Sequence, residues 1–230
     1  MSIPHIAVVG KSKTGKTSLV IELIKRLKKE GYEVATVKHT LGDFSIDSEG
    51  TDTFEHAEAG SELVVFSTPL ETSFIVKDEL RLGEILSYIG NFGEYDLVII
   101  EGMKESNIPK LSTDKVVDGD LYYDDNVNEV LDWIDKQFRI FDILDQLPQL
   151  DCGKCGYDTC KRFAESVLDG ENKIDECNQS LRDRIELIVN GEEIDLGIFP
   201  SNIIKNTILG MINSLKGVES IDSLEIRLKE

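Results

Sequence analysis

The fold is decided by residues 10–17, which read Gly10-Lys11-Ser12-Lys13-Thr14-Gly15-Lys16-Thr17. This stretch matches the P-loop pattern G-x-x-x-x-G-K-[ST] at every fixed position. An apolar run at residues 6–9 precedes it and a helix-like segment follows it, which is the context that the pattern requires. In such a loop, backbone N–H groups and the positive end of the following helix surround a phosphate. The sequence therefore predicts a site for a nucleoside triphosphate, rather than a glycine-rich turn that binds nothing.

The roles expected within this site follow from side-chain chemistry. Lys16 should contact the outer phosphates, and the hydroxyl of Thr17 should bind Mg²⁺. The candidate nucleotide-binding residues are the loop, the serine after it and two residues at the end of a later strand: Gly10, Lys11, Ser12, Lys13, Thr14, Gly15, Lys16, Thr17, Ser18, Glu101 and Gly102.

Acidic residues at two places are candidates for the metal and the chemistry. Four apolar residues, 97–100, bring Glu101 to the carboxyl end of a buried strand, where a carboxylate can bind Mg²⁺ together with Thr17. The long polar loop after the second strand carries Asp47 and Asp52, which could complete the Mg²⁺ shell or orient an attacking water. Lys16, Asp47 and Asp52 are therefore the candidate catalytic residues, and the alternative for each acid is an ordinary surface carboxylate.

Composition and charge exclude several classes of protein. The 230 residues include 44 acidic and 25 basic ones, for a net charge of −19, which repels nucleic acid and anionic lipid. No apolar run approaches the roughly 18 residues of a membrane span, and the N-terminus lacks the pattern of a signal peptide. We therefore expect a cytoplasmic protein with neither a nucleic-acid nor a membrane partner.

Strand-like and helix-like segments alternate over residues 1–138, which predicts an α/β fold of the P-loop NTPase type with a mostly parallel sheet. The predicted strands are 6–9, 33–38, 63–67, 73–76, 96–100 and a short one near 115–117. The predicted helices are 16–30, 54–59, 80–89 and 126–138.

All four cysteines lie in a second predicted domain, residues 139–184, with the spacing Cys152-x2-Cys155-x4-Cys160-x16-Cys177. Structural zinc usually uses two C-x-x-C pairs, and the second pair is missing here. Three cysteines in one loop and a distant fourth instead favour a [4Fe-4S] cluster. Zinc and unligated thiols are the alternatives. Cys160 is expected to begin a helix over residues 159–168.

Residues 185–230 predict a small α+β unit. Asn190-Gly191 favours a two-residue hairpin between strands 185–189 and 192–196. Ser201 is expected to cap a helix that ends at Gly217, and residues 223–228 are expected to form a last strand. The unit carries no recognisable chemistry, which indicates a packing or dimerisation element.

Residues 1–137 resemble the molybdopterin-guanine dinucleotide biosynthesis protein B (MobB) family. Besides the P-loop and Asp47, Gly50 and Asp52, the resemblance rests on Val37-Lys38-His39-Thr40, Ala57-Glu58-Ala59-Gly60, Ile100-Glu101-Gly102 and Pro109-Lys110. It implies a GTP-binding, usually dimeric accessory protein that assists attachment of GMP to molybdopterin. The implied partner is the molybdenum cofactor nucleotidyltransferase or a recipient molybdo- or tungstoenzyme. Because no strong base is evident, we expect at most a slow GTPase. Leu41-Gly42 stands where the family usually has further histidines, and Lys11 and Lys13 are less usual in its P-loop.

Residues 147–177 resemble the four-cysteine [4Fe-4S] domain of corrinoid iron–sulfur proteins, on the match Asp151-Cys152-Gly153-x-Cys155-Gly156-Tyr157-x-x-Cys160. The implied cofactors of the whole chain are GTP, Mg²⁺ and a [4Fe-4S] cluster. One alternative is a nucleotide-gated electron-transfer or metallocentre-assembly ATPase, since some dimeric ATPases carry a lysine at the position of Lys11 that reaches the partner's nucleotide. Another is a binding module in which nucleotide only sets the affinity for a partner enzyme.

Overall fold

The computed structural model of the chain describes residues 3–42, 44–177, 187–189, 192–194, 198–213 and 224. The chain divides into two compact units, residues 2–137 and 138–230, and each is described by itself. Within these ranges no helix combines the length and the apolar character that a membrane crossing requires.

The first unit alternates strands and helices. In chain order its elements are β1 (His5–Val9), α1 (Lys16–Glu30), β2 (Val34–Lys38), α2 (Asp52–Glu58), β3 (Leu63–Ser67), β4 (Thr72–Val76), α3 (Leu82–Phe92), β5 (Leu97–Glu101), β6 (Lys110–Ser112), β7 (Leu121–Tyr122) and the first part of α4 (Val127–Asp145). The main sheet has the order β2-β5-β1-β6-β7, and every pairing in it is parallel. The predicted α/β fold with a mostly parallel sheet is confirmed.

The core of this unit lies on the two central strands. Every residue of β5 is buried, as are the last four residues of β1, because parallel central strands are covered on both faces. Leu19, Leu23 and Leu27 of α1 are at most 2% exposed and form the apolar stripe of that helix. This packing fixes the point where β1 passes into the P-loop.

Two predictions about the elements of this unit are corrected, and one strand pairing was not predicted. Residues 115–117 form no strand; they lie in a turn between β6 and β7, where the Ser112 hydroxyl contacts the carbonyl oxygens of Asp114 and Val117, each at 2.8 Å. Strands β3 and β4 pair antiparallel as a ribbon of their own, outside the main sheet. Helix α4 continues beyond residue 138 to Asp145, since its apolar stripe continues through Ile140.

The second unit contains α5 (Cys160–Leu168), a short 3-10 turn (Ile174–Glu176), β8 (Leu187–Val189), β9 (Glu192–Ile194) and α6 (Ile198–Asn213). Its core is a cluster formed by Ile140, Leu147, Cys160, Phe163, Ala164 and Cys177. Cys160 begins α5 as predicted, and the Thr159 hydroxyl caps that helix by accepting the N–H of Arg162 at 3.2 Å.

The described residues of the C-terminal segment agree in part with the elements predicted from the sequence. Strands β8 and β9 pair antiparallel within the predicted hairpin, although Asn190 and Gly191 themselves lie outside the described residues. Helix α6 begins at Ile198, so Ser201 lies within it and is not its cap. The helix end at Gly217 falls outside the described residues, and the strand at 223–228 does so except for Leu224.

Candidate functional site

The predicted P-loop joins the carboxyl end of β1 to the N-terminus of α1. Gly10 has a φ of +148° and Gly15 a φ of +88°, values that favour glycine. A Cβ atom on Gly10 would lie 2.4 Å from the hydroxyl oxygen of Thr113 and 2.7 Å from that of Thr14. The first glycine of the motif is therefore required both by its backbone conformation and by the lack of space for a side chain.

Side chains from the loop and from the end of β6 brace this turn. Lys16 donates hydrogen bonds from Nζ to the carbonyl oxygens of Gly10, at 3.0 Å, and of Lys11. The Thr14 and Thr113 hydroxyls lie 2.6 Å apart, and Lys11 Nζ lies 3.9 Å from Asp114 Oδ2. These contacts hold the loop around its own lysine. The role of Lys11 across a dimer stays a prediction.

Glu101, the last residue of β5, lies beside the P-loop. Its register opposite Val8 of β1 and Lys38 of β2 places it at the carboxyl edge of the sheet, where it is 8% exposed. Its Oε1 accepts a hydrogen bond from the Thr17 hydroxyl at 2.9 Å and another from Lys38 Nζ. The structure therefore brings together Thr17 and Glu101, the two residues predicted to bind Mg²⁺.

These neighbours stabilise the ionised form of the Glu101 carboxyl group. Burial alone would raise the pKa of the carboxyl, but the hydrogen bonds from Lys38 and Thr17 and the positive charges of Lys38 and Lys16 outweigh burial and lower it. Glu101 is therefore a carboxylate at neutral pH. An ionised carboxylate beside a hydroxyl offers two oxygen ligands, the donor type that Mg²⁺ prefers.

Gly102 allows two strand ends to approach each other at this edge. It has a φ of +115°, and a Cβ atom there would lie 2.5 Å from the carbonyl oxygen of His39. The His39 N–H donates to the Glu101 carbonyl oxygen at 2.9 Å. The backbone after β2 thus packs directly against the backbone that carries Glu101.

Asp47 is engaged within its own loop. The hydroxyls of Thr51 and Thr53 each donate to its Oδ1 at 2.8 Å, and Lys77 Nζ lies 3.7 Å from its Oδ2. Burial works to raise the pKa of Asp47, yet these hydroxyls and Lys77 bring it below the usual value. Asp52 is exposed at the first position of α2. Among the described residues, no hydrogen bond or ion pair joins either acid to the P-loop, and their catalytic roles stay predictions.

The four cysteines lie on the second unit. Cys160 and Cys177 belong to its apolar core, Cys155 packs against that core, and Cys152 is exposed. The Cys160 N–H donates to Asp151 Oδ1 at 2.6 Å. In the described part of the chain, no three Cys, His, Asp or Glu side chains stand ready as a metal site. Cys160, Cys177 and Cys155 nonetheless belong to or pack against one core, and thiolates are the ligands that iron–sulfur clusters use.

Comparison with known proteins identifies the family that the first unit matches. Residues 5–131, more than half of the chain, match the family described as "Molybdopterin guanine dinucleotide synthesis protein B", MobB. A protein of Methanocaldococcus jannaschii named "Putative molybdopterin-guanine dinucleotide biosynthesis adapter protein" is 35% identical over 97% of this chain and 96% of its own length.

The chain belongs to the MobB family.

Other matches divide between the two units. Residues 147–179 match a second family, described as "Putative Fe-S cluster". The molybdopterin-guanine dinucleotide biosynthesis adapter protein of Escherichia coli is 32% identical over 47% of this chain and 64% of its own length, so the chain spans under two thirds of that relative. The crystal structure of MobB from Bacillus subtilis gives a TM-score of 0.49 at 17% identity, over 59% of this chain and 98% of that one.

Two features of this MobB site were missed from the sequence. The pairing of Lys38 with Glu101 joins residues 63 positions apart, and the available signal was that Lys38 ends one predicted strand and Glu101 directly follows another. Thr113 and Asp114 contact the P-loop, but the strand predicted near residues 115–117 misplaced the segment that carries them.

Proposed function

We propose that this MobB-family chain is an adapter in molybdopterin guanine dinucleotide biosynthesis that binds GTP with Mg²⁺, hydrolyses it slowly and carries a [4Fe-4S] cluster. It would act in the cytoplasm on molybdenum or tungsten cofactor, together with a nucleotidyltransferase or a recipient enzyme. The single observation that carries the nucleotide part is the hydrogen bond between Thr17 and Glu101, since it joins the P-loop to a buried strand-end carboxylate.

Thr17 and Glu101 would hold Mg²⁺, which neutralises phosphate charge when it is bound. Lys16 would transfer its hydrogen bonds from the loop carbonyls to phosphate oxygens, and the N-terminus of α1 would orient the same phosphates. Asp47 is ionised, nearly buried and already bonded to two hydroxyls. A carboxylate with a lowered pKa is a weak general base, which supports slow turnover.

For the second unit we propose that Cys152, Cys155, Cys160 and Cys177 hold the [4Fe-4S] cluster, which supplies one-electron exchange or a structural link when bound. Cys160 and Cys177 belong to one apolar core and Cys155 packs against it, which supports this proposal. Cys152 is exposed, so its loop would close over the cluster.

We also propose a homodimer. The cross-strand pairs Leu63–Val76 and Val65–Phe74 lie on one face of the β3–β4 ribbon, and all four side chains are 41–51% exposed. A two-stranded ribbon is marginal by itself, and a second copy could cover this apolar face symmetrically. Sedimentation of the full chain tests the proposal, and a monomer at micromolar concentration would contradict it.

The nucleotide assignment is tested by anoxic calorimetric titration of the full chain with Mg²⁺–GTP and, separately, Mg²⁺–ATP. We expect GTP to bind preferentially and Lys16→Ala to abolish binding of both nucleotides. Unchanged binding by Lys16→Ala would contradict the P-loop site. Preference for ATP would contradict the GTP assignment and favour a nucleotide-gated electron-transfer or assembly ATPase.

The cluster assignment is tested by metal analysis of anoxically purified protein. We expect about four iron and four sulfide per chain in the wild type and loss of both in Cys177→Ser, with GTP affinity unchanged because the cysteines belong to the other compact unit. Zinc without iron would contradict the assignment.

The adapter role is tested by measuring GTP turnover with and without a molybdenum cofactor nucleotidyltransferase. We expect slow turnover by the chain alone and direct binding to the partner. If no GTP turnover is measured under either condition, the chain is not a GTPase, and the remaining interpretation is a binding module whose affinity for the partner is set by nucleotide.

A further inference from the structure

A cleft of about 430 Å³ lies beside the P-loop in the first unit. Thr14 and Ser18 line one part of it, and Tyr122, Asp124 and Asp125 from the end of β7 line another. Its volume is in the range of small-molecule sites. Because the cleft shares Thr14 and Ser18 with the predicted triphosphate site, a molecule bound through its phosphates would extend into this space.

Charge differs between the two ends of this cleft. The P-loop that the cleft adjoins carries lysines, including Lys16, whereas the cleft itself is lined by three carboxylates, Glu22, Asp124 and Asp125, and by one lysine, Lys115. The pKa of Tyr123, which also lines the cleft, is raised first by burial and then by these three carboxylates, so the potential at Tyr123 is negative. Phosphate is repelled there, and a group rich in N–H donors is favoured.

An aromatic surface lies within the same cleft. Lys115 Nζ is 5.2 Å from the centre of the Tyr122 ring, and both residues line the cleft. Aromatic faces and cations beside them are common stacking surfaces for nucleobases. The far end of the cleft therefore offers a flat surface beside hydrogen-bond acceptors.

The acceptors distinguish between purines. Guanine presents two adjacent N–H donors, N1–H and the 2-amino group, and one ionised carboxylate, an acceptor at both oxygens, can receive both. Adenine has an acceptor at N1 and is disfavoured by a carboxylate. Asp124 Oδ1 already accepts the Asn126 N–H at 3.3 Å. Glu22 Oε1 lies 3.8 Å from Arg26 Nη2. Asp125, at a bend with φ of +72° just before α4, makes no hydrogen bond or ion pair with the described residues and is the carboxylate left to face a ligand.

We propose that this cleft holds the nucleoside half of the bound nucleotide, with the base against Tyr122 and Lys115 and with Asp125 accepting the N1–H and 2-amino hydrogens of guanine. The proposal rests on the proposed function, since it takes the triphosphate to lie in the P-loop. It assigns the choice of base to residues outside that loop.

The test is calorimetric titration of the full-length Asp125→Asn variant with the Mg²⁺ complexes of GTP and xanthosine triphosphate. An asparagine amide donates to the 2-oxo group of xanthine and no longer accepts both guanine donors. We expect GTP affinity to fall about tenfold or more, the effect of one bidentate pair, and xanthosine triphosphate affinity to rise. The matched control is Asp124→Asn, which removes the same charge from the same cleft and should keep the preference for GTP.

Each result decides the assignment. The assignment is overturned if Asp125→Asn keeps the preference for GTP while its circular dichroism shows that it is folded. It is also overturned if Asp124→Asn, and not Asp125→Asn, switches to xanthosine triphosphate. In both cases wild-type GTP binding that is lost in Lys16→Ala still supports the proposed function. Absence of nucleotide binding by the wild type overturns both. A second variant, Tyr122→Ala, should weaken GTP and xanthosine triphosphate alike, whereas equal affinity to the wild type would contradict the stacking surface.

Discussion

The Thr17 hydroxyl donates a hydrogen bond to Glu101 Oε1 at 2.9 Å, although the two residues lie 84 positions apart in the chain. Thr17 lies in the first turn of the helix after the P-loop, and Glu101 ends the strand beside it. Parallel pairing of β1 and β5 brings their carboxyl ends to one edge of the sheet. This contact makes the Mg²⁺ assignment testable at two independent positions.

We expect Thr17→Val to weaken Mg²⁺-dependent GTP binding about ten- to a hundredfold. Valine has the shape of threonine but lacks the hydroxyl, and a hydrogen bond to a charged group contributes about 1.5–3 kcal/mol. Calorimetric titration with and without Mg²⁺ measures the difference. Thr17→Ser keeps the hydroxyl and is the matched control. Equal loss of affinity in the absence of Mg²⁺ would show that the valine disturbs the loop rather than the metal site.

Lys38 competes with a metal ion for Glu101. Its ammonium group contacts the same Oε1 that accepts from Thr17. We therefore expect Lys38→Met to lower the Mg²⁺ concentration needed for half-maximal GTP binding severalfold, and to reduce the free energy of unfolding without Mg²⁺ by about 1 kcal/mol, as for an exposed partner of an ion pair. Lys38→Arg retains the charge and should behave as the wild type. A higher Mg²⁺ requirement in Lys38→Met would instead place Lys38 on the phosphates.

The pKa of Glu101 predicts a pH dependence of stability. Because this pKa is lowered in the folded protein, the ionised carboxylate favours the folded state. Its contribution is complete above the ordinary glutamate pKa of about 4.3 and is lost as the pH falls through the lower folded-state value. Urea unfolding of the wild type and Glu101→Gln between pH 3 and 7 measures this. We expect the advantage of the wild type to be constant from pH 6 to 7 and to shrink below about pH 4.3. An advantage that grows on acidification would contradict the shift.

Gly102 and Gly31 form a matched pair of variants that tests the close approach of the backbones after β2 and β5. Gly31, at the end of α1, is the control. Both have positive φ, +115° and +97°, but a Cβ atom on Gly31 meets no atom within 4 Å whereas one on Gly102 meets the His39 carbonyl oxygen. We expect Gly31→Ala to lower the free energy of unfolding by about 1 kcal/mol and Gly102→Ala by about 3 kcal/mol. Gly102→Ala should also reduce GTP affinity, because it displaces Glu101. Equal effects on stability would argue against the close contact.

Asp47 orders its loop through Thr51, Thr53 and Lys77. We expect Asp47→Ala to lower the thermal midpoint and to make residues 41–53 more sensitive to proteolysis, because the two hydroxyls and the ammonium lose their acceptor. Asp52→Ala, at the exposed start of α2, is the control and should leave both properties unchanged. If Asp47→Ala keeps the stability and loses only GTP turnover, Asp47 is catalytic.

The sequence predicted best the features that depend on local pattern. The P-loop with its flanking β1 and α1 follows from the glycine spacing and the apolar periodicity, and the burial of β5 follows from four consecutive apolar residues before Glu101. The parallel sheet follows from the alternation of strands and helices. These features need no knowledge of distant contacts.

The features that were missed depend on tertiary contacts. Lys38 reaches Glu101 only because β2 pairs with β5, and β6 and β7 are two- or three-residue strands too short to show alternation. The turn between them is held by Ser112, whose hydroxyl gives no sign of this role in the sequence. Helix α4 continues past residue 138 because Ile140 packs into the core of the second unit.

The hydrogen bonds of Lys16 to the carbonyl oxygens of Gly10 and Lys11 determine what the heat of nucleotide binding can report. A phosphate that enters the loop exchanges one set of acceptors for another, so the number of hydrogen bonds made by this ammonium group does not increase. The enthalpy from Lys16 is then the difference between phosphate and carbonyl acceptors rather than the strength of either. Affinity at this position derives largely from the greater charge of the phosphate, and raising the ionic strength should weaken it.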